Sequence, residues 1–238
     1  MLLLYLQYGV YDSPIPASFI RSAPPLSPQA IHTYTPNECL SIVLTSEIGQ
    51  GATGKVHRGT LKLNNEDRFV PLDVVVKLAF NSQQWDMLRT EYKTYHHLQS
   101  KGVVRGLTTT LGFFDDTEDG PCALVMLYAG DSLFDKPECI LSVSDWYVSQ
   151  TWACFYIPML NPPFCANNSR SALTTLVSIH RAGILHGDIR RENILVSDLG
   201  VTIIDFSHSK HCDDQGAIEE YAQLCSFLGF EQVARHQQ

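Results

Sequence analysis

No apolar run in the sequence approaches the roughly 18 residues that a membrane-spanning helix needs. Cationic residues are scarce: 17 Lys and Arg stand against 25 Asp and Glu, a net charge of −8 with neutral histidine. That balance argues against a general binder of nucleic acid or anionic membrane and leaves room only for a local basic groove. The opening Met1-Leu2-Leu3-Leu4-Tyr5-Leu6 has no basic flank and is too short for a secretory signal. The seven cysteines are odd in number and include no C-x-x-C pair. A disulfide framework or zinc ribbon is therefore not expected, and a reducing intracellular compartment, cytoplasm or nucleus, is. What the chain does have is enough apolar residue, 45% against 18% charged, to bury a core within 238 residues. One domain, or a small two-lobed one, fits that length.

Residues 1–39 carry Pro14, Pro16, Pro24, Pro25, Pro28 and Pro36. Each removes a backbone donor and disfavours helix at the residue before it, so this stretch reads as an extended, poorly ordered arm. From residue 40 the pattern becomes β-like, with apolar runs at Ile42-Val43-Leu44, Val56 to Leu63 and Val74-Val75-Val76. Trp85, Leu88, Tyr92, Tyr95 and Leu98 recur at helical spacing, with Gly102 as a stop. Leu111 to Phe114 and Cys122 to Tyr128 read as two further strands. A second helix carries Leu173, Leu176, Val177 and His180 and ends at Gly183. Short strands follow at Ile194-Leu195-Val196 and Val201 to Ile204. A last helix from Gly216 sets Ile218, Tyr221, Ala222, Cys225 and Leu228 on one face.

Three motifs carry chemistry. Gly49-Gln50-Gly51-Ala52-Thr53-Gly54-Lys55-Val56 has the form G-x-G-x-x-G-x-V between two predicted strands. Glycines let a hairpin backbone approach phosphate oxygens and aim N–H groups at them. The same residues spell G-x-x-x-x-G-K, but a Walker A loop needs Ser or Thr next and then a helix; Val56 and a strand stand there instead. The second motif, Val74-Val75-Val76-Lys77, is a buried-looking strand ending in a lysine. Seen alone, Lys77 reads as a snorkelling strand end. Glu91, however, lies on the helical face of Leu88 and Tyr95, where a carboxylate is costly unless paired, and Lys77 is its candidate partner. The third motif, Ile184 to Asn193, contains H-x-D-x-x-x-x-N directly after a helix, and Asp205-Phe206-Ser207 follows 12 residues after Asn193. Phosphoryl transfer requires an Asp to accept or orient a hydroxyl proton, and an Asn and a second Asp to hold Mg2+ on the phosphates. Asp188 fits as base, Asn193 and Asp205 as metal ligands, and Lys77 as phosphate clamp.

Over about residues 45–230, and most specifically over 179–206, the chain resembles a protein kinase-like domain. It is similar to short atypical members, RIO-like kinases and the small kinase of the tRNA threonylcarbamoylation complex among them, and to kinase-like proteins of mushroom-forming fungi. The resemblance implies an α+β bilobal kinase-like fold. Its N-lobe (40–128) would be a small antiparallel β-sheet with one helix, and its C-lobe (129–238) truncated and mainly helical. ATP would lie in the cleft with Gly49, Gly51, Gly54 and Val56 over its phosphates. The segment Met126-Leu127-Tyr128-Ala129-Gly130 would be a hinge whose backbone bonds adenine, through Met126 and Tyr128. The expected function is an ATP- and Mg2+-dependent phosphotransferase of the serine/threonine type. Two alternatives stand beside it: a catalytically weak pseudokinase serving as a nucleotide-binding or scaffold module, and a small-molecule kinase or ATPase. Its partners would be ATP and a protein or small-molecule substrate, with no nucleic acid and no membrane span.

The departures from that pattern are informative. Gly187 stands where regulated kinases keep an Arg before the catalytic Asp, and no A-P-E sequence follows Asp205. Control by activation-loop phosphorylation is therefore not expected. Ser207 replaces the usual Gly after Asp205-Phe206 and should hinder a flip of this segment without removing the carboxylate. Arg190 keeps a positive charge near the transferred phosphoryl where many relatives carry Lys. The 23 residues Trp146–Asn168 hold no charged side chain, six aromatics and three prolines. This insert reads as a translated intron, with an apolar lid or docking segment as the alternative.

Overall fold

Alternating apolar side chains close the first sheet of this protein on itself. The computed structural model describes residues 3–8, 17–23, 39–62, 71–116, 120–137 and 162–228. They belong to two units, Met1–Gln99 with Thr108–Tyr128 and Ser100–Leu107 with Ala129–Gln238. The first unit contains seven strands: β1 (Leu3–Tyr8), β2 (Ala17–Ala23), β3 (Cys39–Gly51), β4 (Gly54–Lys62), β5 (Leu72–Ala79), β6 (Thr110–Asp116) and β7 (Cys122–Leu127). They form a closed barrel in the order β1-β2-β6-β7-β5-β4-β3. Every neighbouring pair is antiparallel except β1 and β3, which run parallel with Leu4 opposite Leu40 and Leu6 opposite Ile42.

The sheet is the small, mainly antiparallel one expected, and it is closed by the first 23 residues. These were expected as part of an extended arm, yet β1 and β2 fill the gap between β3 and β6. Leu4 and Leu6 are wholly buried, two positions apart on the same face, beside Leu40, Ile42, Leu44, Leu61, Val74 and Val76. Period-two burial of this kind fixes the register, because a one-residue slip would turn both leucines outward. Closure also leaves neither β3 nor β6 as a bare edge. The six prolines of the expected arm lie outside the described residues.

Helix α1 (Ser82–Ser100) buries Leu88, Glu91, Tyr92, Thr94, Tyr95 and Leu98. Its first turn is capped by Asn81, whose Oδ1 accepts the Gln84 N–H at 3.0 Å. Gly102, at φ 81°, ends it.

The second unit contains α2 (Pro162–Arg181), α3 (Asp214–Phe227) and short strands β8 (Asp131–Ser132), β9 (Ile184–Leu185), β10 (Ile194–Ser197), β11 (Gly200–Ile203) and β12 (Lys210–His211). Strands β11, β10 and β8 form one sheet, and β12 pairs with β9. Of the uncharged insert, residues 146–161 lie outside the described residues. The rest begins α2, with Pro162 and Pro163 at the first turn, where a missing N–H costs nothing. The buried face of helix α3 matches the expected one only in part: Leu228, its C-cap, is buried as expected, but Glu220 and Leu224 are buried where Ile218 is 64% and Tyr221 40% exposed. No described helix is long and apolar enough to cross a membrane.

Candidate active site

Within the first unit the expected phosphate-binding residues lie on adjacent strands. Lys77 on β5 sits opposite Val56 of β4 and Leu124 of β7. Its Nζ lies 2.8 Å from both carboxylate oxygens of Glu91, with side-chain exposures of 5% and 0%. In a bidentate pair so deeply buried each charge offsets the cost of burying the other. The glycines of the β3–β4 hairpin are not equivalent. Gly54 has φ 116°, and a Cβ there would run into the Leu78 carbonyl, so packing on β5 alone demands glycine. A Cβ on Gly49 would meet only Val56, at an ordinary 3.8 Å, and one on Gly51 would meet nothing within 4 Å. The fold itself gives no reason for glycine at position 51.

At the end of β7, Met126 is buried opposite Val75. The Tyr128 N–H donates to the Asp73 carbonyl at 3.0 Å. Of the hinge backbone expected to bond adenine, that amide is therefore already committed within the unit. The Tyr128 ring is covered by Arg58, whose guanidinium lies 3.8 Å from the ring centroid and whose Nε donates to Asp73 at 3.0 Å.

Within the second unit His186, Asp188, Asn193 and Ile204 form one hydrogen-bonded group, and Asp205, Ser207 and His208 form another. His186 is fully buried; its Nε2 lies 2.8 Å from the Ile204 carbonyl, and its Nδ1 accepts the Asp188 N–H at 3.3 Å. Burial pushes this imidazole below its ordinary range, against the Ile204 carbonyl and the carboxylates of Glu220, Asp205 and Asp188, which pull it up. A neutral ring, donating through Nε2, follows. It also packs on Phe206, with centroids 4.8 Å apart.

Asn193 closes a short 3-10 turn (Arg191–Asn193). Its Nδ2 donates both to the Asp188 carbonyl (2.9 Å) and to Asp188 Oδ2 (3.0 Å). With both amide hydrogens committed, Oδ1 is the group Asn193 has left for a cation. Arg190 places Nε 3.2 Å from the same Asp188 Oδ2. Asp205 follows β11 in the left-handed conformation, φ 67° and ψ 72°, and accepts from Ser207. An Asn amide oxygen and an Asp carboxylate are the hard oxygen donors that Mg2+ takes alongside phosphate oxygens, so these residues fit that ion.

Two residues that matter here were not singled out from sequence or were read differently. Glu220, on α3, accepts the His186 N–H at Oε2 (3.0 Å) and the Gly187 N–H at Oε1 (2.6 Å), and its Oε2 also meets His180 Nε2 at 2.8 Å. Burial alone would raise Glu220; the His180 contact and the two amides outweigh it and hold the carboxyl below its usual range. The inward face expected of this helix held Ile218, Tyr221, Ala222, Cys225 and Leu228 and left Glu220 off it. Gly187 was read as a lost regulatory arginine. In the fold it has φ 82°, and a Cβ there would strike the His208 carbonyl oxygen. Glycine is what lets the loop before Asp188 lie against the turn after Asp205.

Residues 42–237 match the family described as the protein kinase domain. Over 200 residues the chain is 26% identical to the serine/threonine-protein kinase ppk31 of Schizosaccharomyces pombe, covering 83% of this chain and 17% of that protein. It therefore spans a small part of the length of the curated relative it matches. The matched stretch runs from the first residues of the β3–β4 hairpin to beyond α3, and on that extent the chain belongs to the protein kinase domain family.

Proposed function

We propose that the chain is an ATP- and Mg2+-dependent phosphotransferase that acts on serine or threonine hydroxyls of proteins. The observation that carries this reading is the commitment of Asn193. Both of its amide hydrogens turn to Asp188, which holds Asp188 Oδ2 and leaves Asp188 Oδ1 with no hydrogen bond among the described residues. Asp188 Oδ1 is then the acceptor for a substrate hydroxyl. As the hydroxyl oxygen forms its bond to the γ-phosphorus, the bond from phosphorus to the β–γ bridging oxygen breaks. The proton passes to Asp188 and ADP leaves. Lys77, oriented by Glu91, holds the α and β phosphates. Arg190 steadies Asp188 and keeps a positive charge beside the transferred group. Asn193 and Asp205 would hold Mg2+, which when bound neutralises phosphate charge. Gly51, whose missing side chain the fold does not require, allows the hairpin backbone to approach the phosphates.

The serine/threonine assignment is supported by the fission-yeast relative, a serine/threonine-protein kinase, and rests on similarity over one stretch of that longer protein. The test is a transfer screen with γ-labelled ATP against serine, threonine and tyrosine peptides, a small-molecule alcohol panel and water. Label on serine or threonine peptides is the expected result. Label confined to small molecules, or release of inorganic phosphate alone, would replace the protein substrate with the corresponding alternative.

A further inference from the structure

Asp205 is the only non-glycine residue with positive φ among those described. Left-handed backbone disfavours an L side chain, although Asp tolerates it better than most. Ser207 sends two donors to the Asp205 Oδ1. The Ser207 N–H is long, at 3.4 Å, whereas the Ser207 hydroxyl donates at 2.7 Å. Ser207 is itself buried, and its Oγ lies 3.0 Å from His208 Nδ1. The carboxylate is the shorter and the charged acceptor, so the hydroxyl hydrogen goes to Asp205 and the oxygen accepts from His208 Nδ1–H. Glycine at this position would lack the hydroxyl and add backbone freedom.

We propose that Ser207 is a positioning residue: its hydroxyl locks Asp205 in the left-handed conformation, so that the carboxylate is set for a divalent ion before nucleotide arrives. The lock rests on the structure alone, and its purpose rests on the phosphotransferase reading above. A hydrogen bond to a charged group contributes enough to change a local equilibrium by about tenfold or more.

The experiment uses the full chain and Ser207→Ala, Ser207→Gly and Ser207→Thr, with two readouts. Amide hydrogen exchange over residues 203–209 is followed without metal or nucleotide, with α2 as an internal control for global opening. The Mn2+ dissociation constant is then measured by paramagnetic resonance in the presence of ADP. Expected are exchange at 203–209 about tenfold faster in Ser207→Ala and faster still in Ser207→Gly, with α2 unchanged. Mn2+ should bind about tenfold more weakly in both, and Ser207→Thr should restore both values to within about threefold of wild type. Wild-type exchange in Ser207→Ala would overturn the lock. Faster exchange with equal or tighter Mn2+ binding would make the hydroxyl a competitor of the ion and overturn the positioning role. Faster exchange in a chain whose wild type binds no Mn2+ with ADP would uphold the lock and sink the phosphotransferase reading instead.

Discussion

Glu220 reaches from α3 to accept the backbone N–H of Gly187, the residue directly before Asp188, at 2.6 Å. The same carboxylate takes the His186 N–H at 3.0 Å. The loop that carries the proposed base is thus hung on one buried acid. Glu220→Gln keeps the volume but turns an amide N–H2 toward one of two N–H donors. It should cost about 2–4 kcal/mol of stability, as expected for a charged acceptor facing buried amides. Urea unfolding measures this. A loss below about 0.5 kcal/mol would show that the loop does not depend on Glu220.

The Lys77–Glu91 pair makes a different prediction. Lys77→Met leaves Glu91, 0% exposed, without its cation. Stability should fall by about 3–5 kcal/mol, the cost of stranding a buried charge. Replacing both, Lys77→Met with Glu91→Leu, should recover most of that loss in the same unfolding assay while leaving phosphate binding abolished. A double variant no more stable than the single one would contradict this account of the pair.

Gly187→Arg restores the residue found in regulated kinases and should not restore regulation. Its φ of 82° and its approach to the His208 carbonyl make any side chain strained there. The expected result is a melting point lowered by an amount matching about 2 kcal/mol or more, together with faster exchange at residues 203–209. An Arg variant as stable as wild type would mean that the loop and the turn are not pressed together.

These cases separate what could be read from residue order from what could not. Lys77 and Glu91 were legible because a carboxylate on an apolar helix face needs a cation, and a lysine following three buried-looking valines needs an anion. Asp188 and Asn193 were legible because they lie five positions apart and bond within one loop. Glu220 was not, since its partners lie 33 and 34 positions away and helical spacing says nothing of what a face meets. Strands β1 and β2 were hidden for a related reason. Each is a short run in a segment that holds six prolines, and its role depends on edges supplied by β3 and β6, so composition pointed to an arm. The rotated face of α3 has the same origin: apolar Ile218 and Tyr221 suggested burial, but anchoring Glu220 turns them outward.

Acid should weaken the fold in two ranges. Burial lowers His186, and burial likewise lowers His57, from 6.5. Below that value the unfolded chain takes up protons that the folded chain refuses, so stability falls as pH drops through 6.5 and beyond. Glu220 is held below its ordinary 4.5. Its contribution is present above 4.5 and is lost as pH falls through the lowered folded value. Thermal melting across pH 8 to 3 should show both declines, and Glu220→Gln should remove the lower one only. A melting point constant from pH 7.5 to 5.5 would contradict the assignment of a buried neutral His186.

The most direct test of the central claim is the rate of γ-phosphoryl transfer from Mg-ATP to a serine or threonine substrate found in the screen, in wild type, Asp188→Asn and Lys77→Met. The account predicts measurable transfer by wild type and a loss of about 100-fold or more in each variant, as expected when a general base or a phosphate clamp is removed. Equal background from all three proteins would contradict it and leave a kinase fold that binds without catalysing.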